Sequence, residues 1–475
     1  QKHQFFILTS RKMPLLPRFR NMAGIMTLLA ALWLALFVYY EHVRPVHIAG
    51  RCNWAKIDKN KQTNVLLVAD PQLIDNHTYP GRNELLLGLS KHTVDTYLKQ
   101  NYRALVEHLE PDYIVFLGDY LDNGRLTQDA YYEREFRRFE RIFNRWPSYK
   151  RGTNWFTNVA GNHDIGFGNG VKLPLRERFI SHFGPANALV EINGVDFILL
   201  DTVSYSSEVA DINEEPRRFL GLVPEKKLPR VLLSHVPFYR DTTKLTCGPL
   251  RESSNFWQNA GYQYQLALLP EVLAELLNKL QPDLIFSGDD HDYCDVQHPD
   301  SAREITVKSI SMAMGIYRPA VQLLSFTSAD DTLNYKTDIC YLPRPYVNVF
   351  MYVALAVFSG LALLFYSIKL RRYVYTVLPS EHVTAILLEH GQAPMSKRMS
   401  KFLEGEDSSP ASIVPLSNYT HTSISQWGKW KKQLRTWRAE VLLILKRWNM
   451  ITFFKLCWLL GLVAIAFYLI TISFI

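Results

Sequence analysis

Three long apolar runs without a single charge are the strongest constraint on this chain. The first spans 22–40 and includes Leu28, Leu29, Trp33, Leu34 and Phe37. The second covers 347–368, with Phe350, Leu361 and Tyr366, and the third covers 456–475. At about 1.5 Å of rise per residue, helices of this length cross the roughly 30 Å hydrocarbon core of a bilayer. Residues 22–40 sit behind a basic stretch, as a signal peptide does. Their apolar core is longer than a signal h-region, however, and no small-residue cleavage site follows before Glu41, so a retained anchor is expected.

The charge distribution then orients the chain. Of the formal +8, residues 1–21 carry five basic side chains and no acid, 369–450 carry 13 basic against 6 acidic, and 41–346 carry 34 against 39. The positive-inside rule predicts a basic cytosolic N-terminus at 1–21, a transmembrane helix at 22–40 and a lumenal domain at 41–346. It continues with a second span at 347–368, a cytosolic segment at 369–455 and a third span at 456–475. Basicity confined to cytosolic ends gives no reason to expect a nucleic-acid partner. Four of the five cysteines (Cys52, Cys247, Cys294, Cys340) fall in the lumenal part. One or two disulfides are allowed there, with pairing open, and ordinary buried thiols are the alternative. Asn76-His77-Thr78 is a glycosylation sequon on that side, whereas Asn418-Tyr419-Thr420 falls on the cytosolic side. Within the cytosolic segment, 391–425 reads as a flexible linker. Trp430, Leu434, Trp437, Val441, Leu445 and Trp448 then recur at helical spacing among basic residues, predicting an amphipathic helix over about 427–448. It would lie on an anionic leaflet or pack on the spans.

From residue 64, short apolar runs alternate with helical stretches. Residues 65–69, 113–117, 156–160, 197–200, 231–233 and 284–286 read as buried strands; 91–109 and 129–146 read as helices. The alternation predicts an α/β domain, core 64–326, with a largely parallel, covered sheet. Most of these strands end in a polar cluster: Asp70-Pro71-Gln72; Gly118-Asp119 with Asp122 and Arg125; Gly161-Asn162-His163-Asp164; Ser234-His235; and Gly288-Asp289-Asp290-His291-Asp292. Ligands of open α/β sheets bind at the C-terminal strand ends, so these five clusters are expected to converge. Several carboxylates in one low-dielectric crevice repel one another unless cations bind, and carboxylate, amide and imidazole donors suit divalent ions. Two such ions bridged by one carboxylate can clamp a phosphoryl group and activate water, which is the chemistry of phosphate ester hydrolysis.

In order and spacing these residues resemble the calcineurin-like metallophosphoesterases, over about residues 64–326. The resemblance implies that family's four-layer α-β-β-α sandwich, here with three transmembrane helices. It implies Asp119 as bridging metal ligand, with Asp70, Gln72 and His291 around one ion and Asn162, His235 and Asp289 around the other. It further implies His163 as the acid that protonates the leaving oxygen, Asp122 as its orienting partner and Arg125 as a phosphate-binding group. Two positions depart from the family pattern: Gln72 stands where it has His, and Asp289 stands where its last motif has a first His. Both replace nitrogen by oxygen donors, which favours Mn²⁺ over Zn²⁺. A decayed, inactive site is the alternative. His77, His92, His108, His182 and His298 read as surface or satisfied core histidines. Asp164, Asp290, Asp292 and Asp295 read as supporting or solvated, and Asp201 as a turn residue.

The anchor at one end, the pair of spans at the other and the variant motifs most resemble the phosphodiesterases that remove an ethanolamine-phosphate branch from glycosylphosphatidylinositol (GPI) anchors. That resemblance implies GPI-anchored proteins or GPI glycolipid as substrate, export receptors as possible partners, and a site in the endoplasmic reticulum or early Golgi membrane. A lumenal enzyme for another lipid or nucleotide ester and a non-catalytic membrane adaptor are the competing readings.

Overall fold

The computed structural model describes residues 22–57, 62–261, 263–298, 302–329, 332–377 and 449–474. The basic N-terminus, the 391–425 linker and the 427–448 helix expected from sequence lie outside the described residues. The chain divides into two compact units, 34–351 with 467–475 and 1–33 with 352–466.

Among the described residues, three helices are long and apolar enough to cross a membrane: Met22–Ala49, Val347–Ile368 and Met450–Ser473. The first runs past the expected end at Tyr40. An α-helix over Met22–Val38 continues through a π turn at Tyr39–Val43 into a further helix over Arg44–Ala49. Pro45 sits at the start of that last helix, where its missing N–H is harmless. The third helix begins at Met450 rather than 456 and so includes Lys455.

Within the larger unit the strands are, in chain order, β1 (Thr63–Val68), β2 (Tyr113–Phe116), β3 (Trp155–Phe156), β4 (Ala188–Ile192), β5 (Val195–Leu199) and β6 (Arg230–Leu233). They continue as β7 (Ala260–Gly261), β8 (Tyr264–Gln265), β9 (Leu284–Ser287), β10 (Cys294–Gln297), β11 (Arg303–Thr306), β12 (Ala320–Ala329) and β13 (Thr332–Tyr341). They form two main sheets, as the four-layer sandwich requires, with orders β13-β12-β1-β2-β3 and β10-β11-β9-β6-β5-β4. Both mix parallel and antiparallel pairs: the second sheet is parallel at its centre and antiparallel at both margins, while the first is parallel from β1 through β2 to β3 and antiparallel where β12 joins β1 and β13 joins β12.

Period-two alternation explains the layering. Val65, Leu67 and Val115 pack with Phe197, Val231, Leu233, Leu284 and Phe286 between the sheets. Their neighbours Leu66, Val68, Ile114 and Phe116 face the helices, among Leu98, Tyr102, Leu105, Phe139 and Phe143. On the other sheet Ile198, Leu232 and Ile285 join Ile212, Leu220, Leu276 and Leu280. Strands buried on both faces therefore read as unbroken apolar runs, and the outcome is the α-β-β-α arrangement. Each buried Leu, Ile or Phe side chain contributes about 1.5–3 kcal/mol. The cysteines pair as Cys52–Cys340 and Cys247–Cys294.

Candidate metal centre

The loops after β1, β2, β3, β6 and β9 meet at one end of the sandwich. They bring together all seven residues singled out as ligands. Asp70, Asp119 and His291 offer donor atoms within 4.8 Å of one another, and so do Asp119, His235 and Asp289. Asp119 is common to both groups. His235 Nε2 lies 3.4 Å from Asp119 Oδ1, 3.4 Å from Asp289 Oδ1 and 3.3 Å from Asn162 Oδ1.

Backbone geometry at these positions is unusual. Asp70, Gln72, Asp119, Asp289 and His291 all adopt positive φ, at 47°, 34°, 51°, 62° and 64°. Each such non-glycine residue costs about 1–3 kcal/mol, and strain of that kind persists only where the surroundings hold it. Gln72 N donates to Asp119 O at 2.7 Å, Asp289 N donates to Asp70 Oδ1 at 3.0 Å, and Ser309 N donates to His291 O at 3.0 Å. Close approach also demands glycine beside Asp119. A Cβ on Gly161 would stand 2.1 Å from Asp119 Oδ1, and one on Gly118 would stand 2.4 Å from His235 Nδ1.

Hydrogen bonds fix which atom of each amide and ring faces inward. Gln72 Nε2 donates to Asp122 Oδ1 at 2.8 Å, which turns Oε1 to the centre. Asn162 Nδ2 donates to Gln263 O at 3.3 Å, which does the same for its Oδ1. His235 Nδ1 donates to Leu117 O at 2.7 Å, leaving Nε2 as the inward donor atom. His163 Nδ1 donates to the Asp122 carbonyl at 2.6 Å and lies 3.4 Å from its carboxylate, while Nε2 lies 3.3 Å from Gln72 Nε2. Arg125 reaches the rim, with Nη1 donating to Asn162 O at 2.9 Å and Nε buried without a partner.

Whether this donor set suits divalent cations can be judged from what it leaves unmet. Asp70 Oδ2, Gln72 Oε1, Asp119 Oδ2 and Asp289 Oδ2 are buried and have no hydrogen-bond partner. Burial, opposed by His235 and reinforced by the Asp119 carboxylate, holds the Asp70 carboxyl well above the usual carboxylate range. Burial alone would depress His235, yet Asp119, Asp289 and Asp70 drive it well above the ordinary histidine value. His163 behaves likewise: burial pulls down, Asp119 and then Asp122 pull up harder, and it reaches about 9. Such shifts mark an excess of negative charge in a low-dielectric pocket, and four buried oxygens with no proton to accept belong to the same residues. The residues fit a pair of divalent ions.

Supporting residues are more numerous than the sequence reading indicated. Asp164 is buried, and its carboxylate accepts from Tyr120 N, Leu121 N and Gly161 N at 3.0, 3.2 and 2.9 Å, tying the Asp119 loop to the Asn162 loop. Tyr120 stacks on Phe183 at 4.5 Å and anchors the same turn in the helical layer. Around His291, Asp290 pairs with Arg251, and Asp292 accepts from Lys308 Nζ at 2.7 Å. Ligand and clamp thus alternate along residues 289–292. Both Arg251 and Gln263 belong to the segment that Cys247–Cys294 fastens beside the centre. Of the remaining acids, Asp201 caps the helix Thr202–Tyr205 and pairs with Arg176, while Asp295 pairs with Arg303; neither enters the centre.

A two-sheet α/β sandwich carrying this cluster at its strand ends defines a metal-dependent phosphoesterase. Residues 63–293 match the calcineurin-like phosphoesterases, and the chain belongs to that family. Cell division control protein 1 of Saccharomyces cerevisiae is 38% identical over 355 residues, covering 69% of this chain and 72% of that protein. Metallophosphoesterase 1 of Mus musculus is 28% identical over 361 residues, covering 69% of this chain and 84% of that protein. A dimetal phosphatase from Danio rerio aligns with 59% of this chain and 99% of its own at 12% identity and a TM-score of 0.35.

Proposed function

We propose that the chain is a membrane-anchored dinuclear phosphodiesterase that removes an ethanolamine-phosphate branch from GPI anchors. The observation that carries the reaction class is the sharing of Asp119 between two donor groups, with four buried oxygens of the candidate ligands left without a hydrogen-bond partner. Asp70, Gln72, Asp119 and His291 would hold one ion, and Asp119, Asn162, His235 and Asp289 the other. Bound there, the ions would supply charge neutralisation at the phosphoryl oxygens and activation of water. The oxygen-rich set favours Mn²⁺.

This chain's own residues do the rest. Arg125 sits at the rim, suited to a non-bridging phosphate oxygen. His163 presents Nε2 to the leaving oxygen while Asp122 holds the opposite edge of the ring, so that a proton can pass from Nε2 to the departing alcohol. Gln72 Nε2 donates to the Asp122 carboxylate that faces the ring, which keeps Asp122 and the imidazole beside the ligand loop.

Substrate choice rests on tethering. Apolar helices flank the catalytic domain on both sides, which favours a membrane-borne ester. Two disulfides in that domain support a lumenal placement in the endoplasmic reticulum or early Golgi. Exposed Asn76 is then available for glycosylation. The test is mass spectrometry of GPI glycans incubated with the purified full chain and Mn²⁺, in parallel with His163→Ala. Loss of the ethanolamine-phosphate mass with wild type only is expected. Cleavage of generic phosphodiesters with the branch left intact would reject this substrate.

A further inference from the structure

A second site of opposite charge lies away from the metal centre. Arg44, Arg51, Arg318 and Arg344 line one cavity of about 450 Å³, together with Ile48, Cys52 and Tyr341. Four arginines lining one space gather like charge there, and an anion would relieve it. Yet none of the four forms an ion pair among the described residues. Arg44 donates to the Arg344 carbonyl at 3.4 Å, and Arg51 contacts His47 at 2.9 Å. The others stack on rings: Arg318 lies 5.8 Å from the Tyr341 centroid and Arg344 lies 4.6 Å from Tyr317, while Arg44 also lies 5.4 Å from Tyr40. A stacked guanidinium keeps its N–H edge free, and that edge matches a phosphate bidentately.

Position identifies the kind of anion. Arg44 lies near the end of the first apolar helix, which finishes at Ala49, and Arg344 lies three residues before the second begins at Val347. The cavity therefore sits where those two helices leave the hydrocarbon, at headgroup level. Cys52–Cys340 fastens the two contributing segments together, so the arginines are arranged before any ligand arrives. The surrounding domain, residues 41–346, is acidic overall, with 34 basic against 39 acidic side chains. On the proposed topology, moreover, arginines at this boundary face away from the cytosol, against the positive-inside tendency. A purpose other than orientation is required.

We propose that Arg44, Arg51, Arg318 and Arg344 bind the phosphodiester of an anionic membrane lipid at the bilayer surface. The lipid is either a phospholipid of the surrounding bilayer or the lipid portion of the substrate; the recognised chemistry is the same. The arrangement also reaches the metal centre. Tyr317 N and Arg318 N donate to the Glu252 carboxylate at 2.6 and 2.9 Å, Glu252 accepts from Lys308 at 2.9 Å, and Lys308 holds Asp292 beside His291. A lipid held by Arg318 is thus tied to the loop that carries two candidate ligands. The site does not depend on which ester the metal centre cleaves, only on the apolar helices lying in a membrane.

The test uses the full chain in nanodiscs of phosphatidylcholine mixed with phosphatidylinositol, with retained lipid counted by native mass spectrometry. Arg51, Arg318 and Arg344 are exposed, so the triple variant R51Q/R318Q/R344Q should fold. Wild type is expected to retain phosphatidylinositol over phosphatidylcholine, and the variant to lose about tenfold or more of that preference for each arginine removed. Hydrolysis of a water-soluble phosphodiester should be unchanged, which checks folding and the metal centre independently. If that activity falls, R51Q/R344Q, which leaves Arg318 in place, serves for the same comparison. Comparing KM for a lipid-bearing and a delipidated substrate then separates the sources. A rise for the lipid-bearing substrate alone marks the substrate's own lipid, and no change in either marks a bilayer lipid. Equal lipid retention by wild type and variant, or no preference in wild type, overturns the proposal.

Discussion

Asp164→Asn tests how the centre is held together rather than what it holds. The carboxylate accepts three backbone N–H bonds, two at Oδ1 from Tyr120 and Leu121 and one at Oδ2 from Gly161. Asparagine has one acceptor oxygen. With that oxygen kept toward Tyr120 and Leu121, its NH₂ confronts the Gly161 N–H, donor against donor. One charge-assisted bond is lost, about 1.5–3 kcal/mol, and the Gly161 N–H is left buried and unmet. Against this, burial and then the Asp119 carboxylate already push the Asp164 carboxyl up to about 7, so removing its charge relieves repulsion. The net destabilisation is therefore placed at about 1–2 kcal/mol. The larger effect should fall on the centre, because Gly161 adjoins Asn162, and supporting groups of this kind typically govern about 10–100-fold in metal affinity. The assay is competition for Mn²⁺ against a chelator, run beside thermal melting and kcat/KM. Wild-type metal affinity in a folded D164N protein would refute the reasoning.

Three further outcomes follow from the same geometry. Gly161→Ala puts a Cβ 2.1 Å from Asp119 Oδ1, and the resulting displacement should lower kcat/KM by about 100-fold or more with little change in the circular dichroism spectrum. Lys308→Met leaves Asp292 without its cation. Bonds from Glu252 N, Ser253 N, Ser253 Oγ and Tyr293 N remain, so the cost should sit near the low end, about 3 kcal/mol, read from a chemical denaturation midpoint. Burial opposes the ionised form of Glu304, but Arg240 and His298 prevail and hold it below the usual glutamate value. Its contribution is fully present above the unfolded value of about 4.3 and is lost as pH falls through the folded one, so Glu304→Gln should flatten the acid limb of a melting profile.

The centre was legible because its residues come immediately after apolar runs. Asp70 follows β1, Gly118-Asp119 follows β2 within two residues, and Asp289 follows β9 just as closely. A residue in such a place points out of the strand ends whatever the rest of the domain does. Clamping residues carry no comparable signal. Asp292 and Asp290 look alike in sequence, and their partners Lys308 and Arg251 stand 16 and 39 positions away. Cys52 and Cys340 are 288 apart and gave no sign of pairing.

Strand losses have two causes. The β4–β5 hairpin turns on Asn193-Gly194, with φ of 48° and 79°, and that dipeptide is a hairpin signal available from sequence and left unused. β13 is different: residues 332–340 alternate between exposed and half-buried except for Cys340, so little apolar patterning marks an edge strand. The strand pattern alone therefore shows a largely parallel sheet, whereas the two-sheet sandwich that stands is the one the family resemblance implies.

Metal content of the purified full chain is the most direct measure of the central claim. Elemental analysis of wild type after dialysis should find two divalent ions per chain, in keeping with two donor groups that share Asp119, and Asp119→Ala should retain neither in stoichiometric amount. A wild-type protein that hydrolyses phosphodiesters with no bound divalent metal, or an Asp119→Ala protein that keeps both ions, would contradict the account.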